Sequence, residues 1–205
     1  MSDKKQKSGS GSLLELVLIV ATALGLALGI QAFLVKPYRI PSESMEPTLN
    51  IGQRVLVNRI GNRFEDPKIG EILVFHPPKG AEQSQCASPN EGQGNPKPCD
   101  HETSQRSDQN FIKRVVGVPG DRIAIRDGHV IRNGRAVKES FIRECGGGGD
   151  CNFPQAITVP PKHYFMMGDN RGASDDSRFW GPVPKKWIIG GAFATYWPPN
   201  RIGLL

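Results

Sequence analysis

FIKRVVGVPGDRIAIRDGHVIRNG, residues Phe111–Gly134, decides the fold class. Its apolar, β-branched opening, Phe111–Val118, reads as a strand closed by the turn dipeptide Pro119-Gly120. Arg122–Arg126 and His129–Arg132 follow as two short runs. Asp127-Gly128 lies between them and Asn133-Gly134 ends the second, and both dipeptides suit two-residue hairpin turns. On the N-terminal side, Gln53–Asn58 and Glu71–Phe75 read as strands; on the C-terminal side, so do Tyr164–Met167 and Gly191–Tyr196. Val35–Ile40 should run extended, because Pro37 and Pro41 disfavour helix locally. Glycine (24) and proline (17) make up a fifth of the 205 residues, which favours short strands and turns. Pro77–Gln109 is polar and rich in Pro, Gly, Ser, Asn and Gln, and reads as a surface insertion. There is no internal repeat, and no long amphipathic helix is required. The expected fold class is mainly β.

Leu13–Val35 has only Glu15, Thr22 and Gln31 as clearly polar residues. As a helix it would run about 34 Å, enough for a hydrocarbon core of about 30 Å. Lys4, Lys5 and Lys7 precede it, which puts the N-terminus in the cytoplasm and the rest of the chain outside. A cleaved secretory signal is the alternative. Its apolar core usually spans about 7–15 residues, and the small-x-small triplets here lie inside the apolar run. The expected organisation is a basic, disordered tail at 1–12, a transmembrane anchor at 13–35 and one domain at 36–205 carrying the insertion at 77–109. About 170 residues then remain for a domain with a real core. The net charge is +6, without a basic patch interleaved with aromatics, so nucleic-acid binding is not expected.

Four cysteines form two local pairs, Cys86 with Cys99 and Cys145 with Cys151. Outside the cytoplasm disulfides are permitted. The glycines of Cys145-Gly-Gly-Gly-Gly-Asp-Cys151 allow the tight turn that a small ring needs. A metal site using Cys99-Asp100-His101 with Cys86 is the alternative, at a spacing that matches no standard zinc pattern. A reducing compartment would leave four free thiols.

A serine triad needs a histidine base and an orienting acid. His76, His101, His129 and His163 sit in turns or loops without a surrounding motif. Lysine is the other candidate base. Lys113 lies among Phe, Ile and Val; taken alone a solvated strand lysine is the plain reading, and it can serve as a base only if burial disfavours its charged form. A neutral lysine takes the proton of a serine hydroxyl. Arg114 beside it stays protonated at workable pH and cannot act as a base. Alternation alone leaves open which of the two faces inward. Ser42 and Ser44 stand between Pro41 and Pro47, where an ordinary turn is the plain reading. Gly168–Gly181, GDNRGASDDSRFWG, is dense in Gly, Asp, Ser and Arg, as in a backbone-rich loop near a site.

Taken together, Ile40–Leu49 (IPSESMEPTL), Gly70–Phe75, Asn110–Asp121 and Gly168–Gly181 resemble, in order, the signature boxes of bacterial type I signal peptidases. The likeness covers most of the chain. It implies a β-rich catalytic domain that removes signal peptides from secreted preproteins at the outer face of the cytoplasmic membrane. The expected partners are signal peptides emerging from the secretion translocon, and membrane lipid. By the same resemblance Ser44 is the nucleophile and Lys113 the general base. Ser42 joins the Ser44 backbone N–H in the oxyanion hole. Ser174 hydrogen-bonds the lysine, and Asp176 and Arg178 form a supporting ion pair. Ile40, Met45, Leu49, Phe111 and Ile112 line pockets for small side chains at −1 and −3. A Cys145–Cys151 bridge resembles a local disulfide of some members. Two positions depart from many members: Glu43 replaces a glycine between the serines, and Gly172-Ala173 replace Asp-Asn. The chain also has one apparent anchor where some members carry two. No metal or other cofactor is implied.

Other readings remain at this point. Self-cleaving repressors use a similar serine and lysine, but this chain has an anchor and no DNA-binding helix pair. A conjugation-associated processing peptidase is closer. A membrane-tethered scaffold that uses the same groove without catalysis is the non-enzymatic alternative.

Overall fold

The computed structural model describes residues 10–205, and side chains throughout that range except at 10–12, 30–33 and 62–63. The tail expected over 1–12 therefore lies outside the described residues, apart from the backbone from Ser10. A helix, Ser10–Phe33, opens the described chain. Its side chains at 13–28 are all exposed, with Leu13, Ile19 and Leu28 at 65% each. Among the described residues, no helix is long and apolar enough to cross a membrane. The described side chains of this helix, 13–29, amount to about 26 Å at ~1.5 Å per residue. The helix stops short of Val35, because Val35–Arg39 is the first strand, β1. Pro37 within it is tolerated because β1 lies at a sheet edge, where an absent N–H costs no ladder bond.

The other strands are β2 (Arg54–Asn58), β3 (Ile72–Phe75), β4 (Phe111–Gly117), β5 (Arg122–Arg126), β6 (His129–Arg132), β7 (Arg135–Ala136), β8 (Phe153–Thr158), β9 (His163–Met167), β10 (Val183–Pro184), β11 (Ile188–Trp197) and β12 (Gly203–Leu204). The mainly β expectation holds. A large sheet has the order β1-β2-β11-β3-β4-β9-β10, with β12 beside β11; a small one has the order β7-β6-β5-β8. Both hairpin turns form as read: Asp127-Gly128 and Asn133-Gly134 all have positive φ, between 50° and 79°. The sequence reading missed β8. That strand contains Pro154 and lies at the edge of the small sheet, pairing only with β5. It also lacks a clean alternation of apolar and polar residues.

Two apolar clusters organise the molecule. The larger joins the sheets, with Leu73, Phe75 and Val115 meeting Ile123, Ile125, Phe153 and Phe165. The smaller gathers Ile40, Met45, Leu49, Val55, Val57, Ile72 and Val74. Neighbours on β3 thus serve different clusters, as alternation requires, and all four of its residues are buried. The 77–109 segment does not stand free of the body. Cys99 is fully buried, bridged to Cys86, and its backbone N–H donates to the Arg178 carbonyl at 3.0 Å. Composition displays the polarity of this segment but not the few covalent and backbone contacts that dock it.

Candidate active site

The Ser44 turn follows from its sequence. Pro41 and Pro47 bracket a single 3₁₀ turn, Glu43–Met45, closed by Glu46 N–H donating to the Glu43 carbonyl at 2.9 Å. Met45 and Leu49 plug the turn into the smaller apolar cluster. Ser44 is buried, and Ser42, exposed in extended backbone, donates its hydroxyl to Ser44 Oγ at 3.3 Å. This turn packs against β4.

β4 settles the question that alternation left open. Lys113 is 4% exposed, whereas Arg114 is only partly buried. The planar fork of Arg114 finds matching partners. It donates to both Asp169 oxygens, Nε to Oδ1 at 2.8 Å and Nη2 to Oδ2 at 2.6 Å, and to the Gly70 carbonyl at 2.8 Å. It also stacks over Phe141 at 4.2 Å. Lys113 faces the other way, opposite Leu73 and 5.8 Å from the Phe111 ring centroid. Among the described residues, no carboxylate lies within ion-pair distance of its ammonium. Burial pushes the Lys113 pKa down to about 8. Asp176, Asp175 and Asp169 oppose that shift at longer range, and Arg178 reinforces it.

The Gly168–Arg178 loop closes over the turn. Asn170 donates its backbone N–H to the Ser44 carbonyl at 3.1 Å and its side-chain amide to the Glu43 carbonyl at 3.3 Å. A methyl group at Gly168 would overlap the Ser44 carbonyl and the Ser174 hydroxyl, so only glycine fits there. Asp176 and Arg178 form a fully buried two-point ion pair, Nε to Oδ1 at 2.8 Å and Nη2 to Oδ2 at 2.9 Å. Burial raises the Asp176 carboxyl, but the charge and hydrogen bonds of Arg178 outweigh it and hold the pKa below the usual range. Asp176 Oδ2 also accepts from Gly168 N–H at 3.1 Å.

Two expectations meet a different geometry. Ser174 is buried, but its hydroxyl has no hydrogen-bond partner, so the expected bond to Lys113 is not formed. Met45 and Leu49 are 0% exposed and Ile40 only 2%, so they lie under the turn and offer almost no surface to a ligand. Phe111 and Ile112 keep accessible surface. Both cysteine pairs are bridged, Cys86–Cys99 and Cys145–Cys151. The bridge between Cys86 and Cys99 displaces the metal alternative there, and no group of three or more metal-ligating side chains occurs among the described residues. A cleft of about 990 Å³ lined by Arg59, His163, Lys186 and Trp187 contains neither Ser44 nor Lys113. Its lining holds no serine, threonine or cysteine, so the chemistry and not the volume locates the site.

Sequence reasoning assigned no role to Thr48, Arg114, Gly168, Asp169 or Asn170. All but Thr48 and Arg114 stand in the quoted loop. Thr48 donates to Asp169 Oδ2 at 2.5 Å, a contact across 121 positions that no local signal announces.

Over residues 13–197 the sequence matches the family described as signal peptidase, peptidase S26. It is 37% identical to a signal peptidase I of Leptolyngbya laminosa, over 98% of this chain and 87% of that protein. It is 35% identical to a probable signal peptidase I-2 of Synechocystis sp., over 100% of this chain and 82% of that one. It is 32% identical to a probable thylakoidal processing peptidase 2 of Arabidopsis thaliana, over 98% of this chain and 51% of that protein. A match over nearly the whole chain, carried by a mainly β domain with the serine turn, the buried lysine and the loop over them, means that this protein belongs to the signal peptidase family, peptidase S26.

Proposed function

We propose that this protein is a membrane-anchored serine endopeptidase that removes N-terminal signal peptides from secreted preproteins, cutting after small residues at −1 and −3. Ser44 is the nucleophile and Lys113 its base. The observation that carries this reading is the lysine itself. It is buried and, among the described residues, without an ionic partner; its pKa lies near 8, and its strand packs against the turn bearing Ser44. Desolvation supplies what a histidine supplies in a triad, a base whose neutral form is populated near neutral pH.

In the first step Ser44 Oγ bonds to the scissile carbonyl carbon and its proton passes to Lys113 Nζ. The oxyanion accepts hydrogen bonds from the Ser44 backbone N–H and the Ser42 hydroxyl. As the tetrahedral intermediate collapses, the C–N bond breaks and Lys113 returns the proton to the leaving amine. The signal peptide then remains as an ester on Ser44. Neutral Lys113 next takes a proton from water as the water oxygen bonds to the ester carbon; the C–Oγ bond then breaks, Lys113 returns the proton to Ser44 Oγ, and the signal peptide leaves with a free carboxyl group. Phe111 and Ile112 form the accessible wall for the small side chains, and Ile40, Met45 and Leu49 support it from beneath.

The anchor is assigned from the sequence of the apolar stretch 13–35, whose clearly polar residues are Glu15, Thr22 and Gln31. The chain from Val35 to Ser44 reaches at most about 30 Å when fully extended, which keeps the site near the bilayer. The basic tail stays in the cytoplasm, residues 36–205 form the catalytic domain outside, and signal peptides arrive from the translocon. The test is a preprotein with an Ala-x-Ala site and the detergent-solubilised enzyme, beside Ser44→Ala and Lys113→Met. Cleavage after that site by wild type alone is the expected result. Cleavage that survives Ser44→Ala would remove Ser44 as nucleophile.

A further inference from the structure

Three arginine–carboxylate pairs hold the Gly168–Arg178 loop, two of them fully buried and one, Arg114–Asp169, buried on the Asp169 side. Arg114–Asp169 and Arg178–Asp176 are built from residues inside the quoted boxes. The third pairs Arg171 with Glu139, which belongs to none of them and lies just after β7 in the small-sheet half of the molecule. Glu139 accepts from Arg171 Nη2 at 2.6 Å and Nη1 at 3.0 Å, and from Val130 N–H at 2.9 Å. Both side chains are inaccessible, at 0% and 1% exposure.

Arg171 has further bonds. Its Nε donates to the Gly168 carbonyl at 3.0 Å, and its Nη1 also donates to the Gly128 carbonyl in the β5–β6 turn. The N–H of Gly168 is held by Asp176. Two separate ion pairs therefore grip the two sides of one residue. That residue packs closely enough against the Ser44 carbonyl and the Ser174 hydroxyl that an added methyl group would overlap both. A buried ion pair contributes little net stability and is often replaceable by apolar groups. What apolar groups cannot reproduce here is the bond to the Gly168 carbonyl.

We propose that Glu139 is a positioning residue for the proteolytic site: it orients Arg171, whose Nε fixes the Gly168 carbonyl and so the backbone on which the Ser44 turn is seated. The inference rests on the assignment of Ser44 and Lys113 above. Displacements of about 1 Å at a catalytic centre cost about 100-fold in rate without touching remote binding contacts.

The test uses the full chain in detergent. A mechanism-based acylating inhibitor labels Ser44 to completion and counts competent sites; preprotein cleavage then gives kcat per labelled site and KM. Glu139→Gln keeps the size and an acceptor for Val130 but removes the charge. Its kcat per labelled site should fall at least 10-fold, with KM within twofold of wild type. Glu139→Asp, which keeps the charge, should lose less. The paired variant Glu139→Leu/Arg171→Met guards against misfolding of the single one. It should unfold near the wild-type temperature yet keep the low kcat. Normal kcat per site in Glu139→Gln, or in the paired variant, would overturn the inference while leaving the functional reading intact. A folded wild type that does not cleave would instead overturn the functional reading, and the inference with it.

Discussion

The large sheet and the small sheet contribute to the site in opposite ways. The large sheet supplies the groups proposed to react: Lys113 stands on β4, and the Ser44 turn is seated on the cluster beneath β2 and β3. The small sheet supplies no group proposed to react, yet its Gly128 carbonyl accepts from Arg171, and its Val130 N–H donates to the neighbouring Glu139, which pairs with Arg171. The two halves meet at Gly168. Its N–H is held by a pair closed within the loop itself, two positions apart, and its carbonyl by a pair that spans 32 positions. Reactive groups are thus local features of the chain, and the accuracy of their placement is a long-range one.

Breaking the local pair tests the first half of that contrast. Asp176→Ala leaves Arg178 charged, buried and unmatched, and should destabilise the fold by about 3–5 kcal/mol in urea unfolding. The exposed Lys68–Glu65 pair is the counterexample. Its side chains are 72% and 74% accessible, and Glu65→Ala should leave the urea midpoint unchanged.

Lys113 sharpens the contrast between what reacts and what stabilises. Its folded pKa, about 8, lies below the ordinary 10.5, so the unfolded chain holds the proton more tightly. Below pH 8 the fold carries the whole cost of burying that cation; between about 8 and 10.5 stability rises as the folded lysine is already neutral. Lys113→Met should therefore stabilise the protein on the order of 3 kcal/mol at pH 7 while abolishing cleavage. The gain should shrink as pH climbs through that window. In the wild type, kcat/KM should rise with pH up to about 8 and then level, because neutral lysine is the active form.

Gly168→Ala probes the meeting point directly. The added methyl overlaps the Ser44 carbonyl and Ser174 Oγ, and kcat/KM should fall about 100-fold or more. Gly149→Ala, where nothing lies within 4 Å, should leave kcat/KM unchanged. Equal effects at the two glycines would show that crowding at Gly168 has no catalytic consequence.

Much of the fold was legible because it is written in local patterns. The β2, β3, β4, β5, β6, β9 and β11 strands follow apolar or alternating runs, and the Asp-Gly and Asn-Gly turns place two residues each at positive φ. Strand β8 was not legible, since an edge strand containing a proline has no clean period. At the site, Ser44 and Lys113 could be singled out as candidates from their boxes. The unbonded hydroxyl of Ser174 and the enclosure of Met45 and Leu49 could not, because both are matters of packing around a residue.

By itself, then, the sequence determined a mainly β chain, its hairpins, the family and the candidates proposed as reacting groups. These depend on residue type and on spacing over a few positions. Only the tertiary structure decided that Lys113 and not Arg114 turns inward. The fork of Arg114 finds Asp169, 55 positions away, while Lys113 meets no carboxylate within ion-pair distance among the described residues and burial lowers its pKa. Only the tertiary structure brought Glu139 beneath Gly168. Burial and ion pairing depend on which distant segments pack together, and no local pattern encodes that.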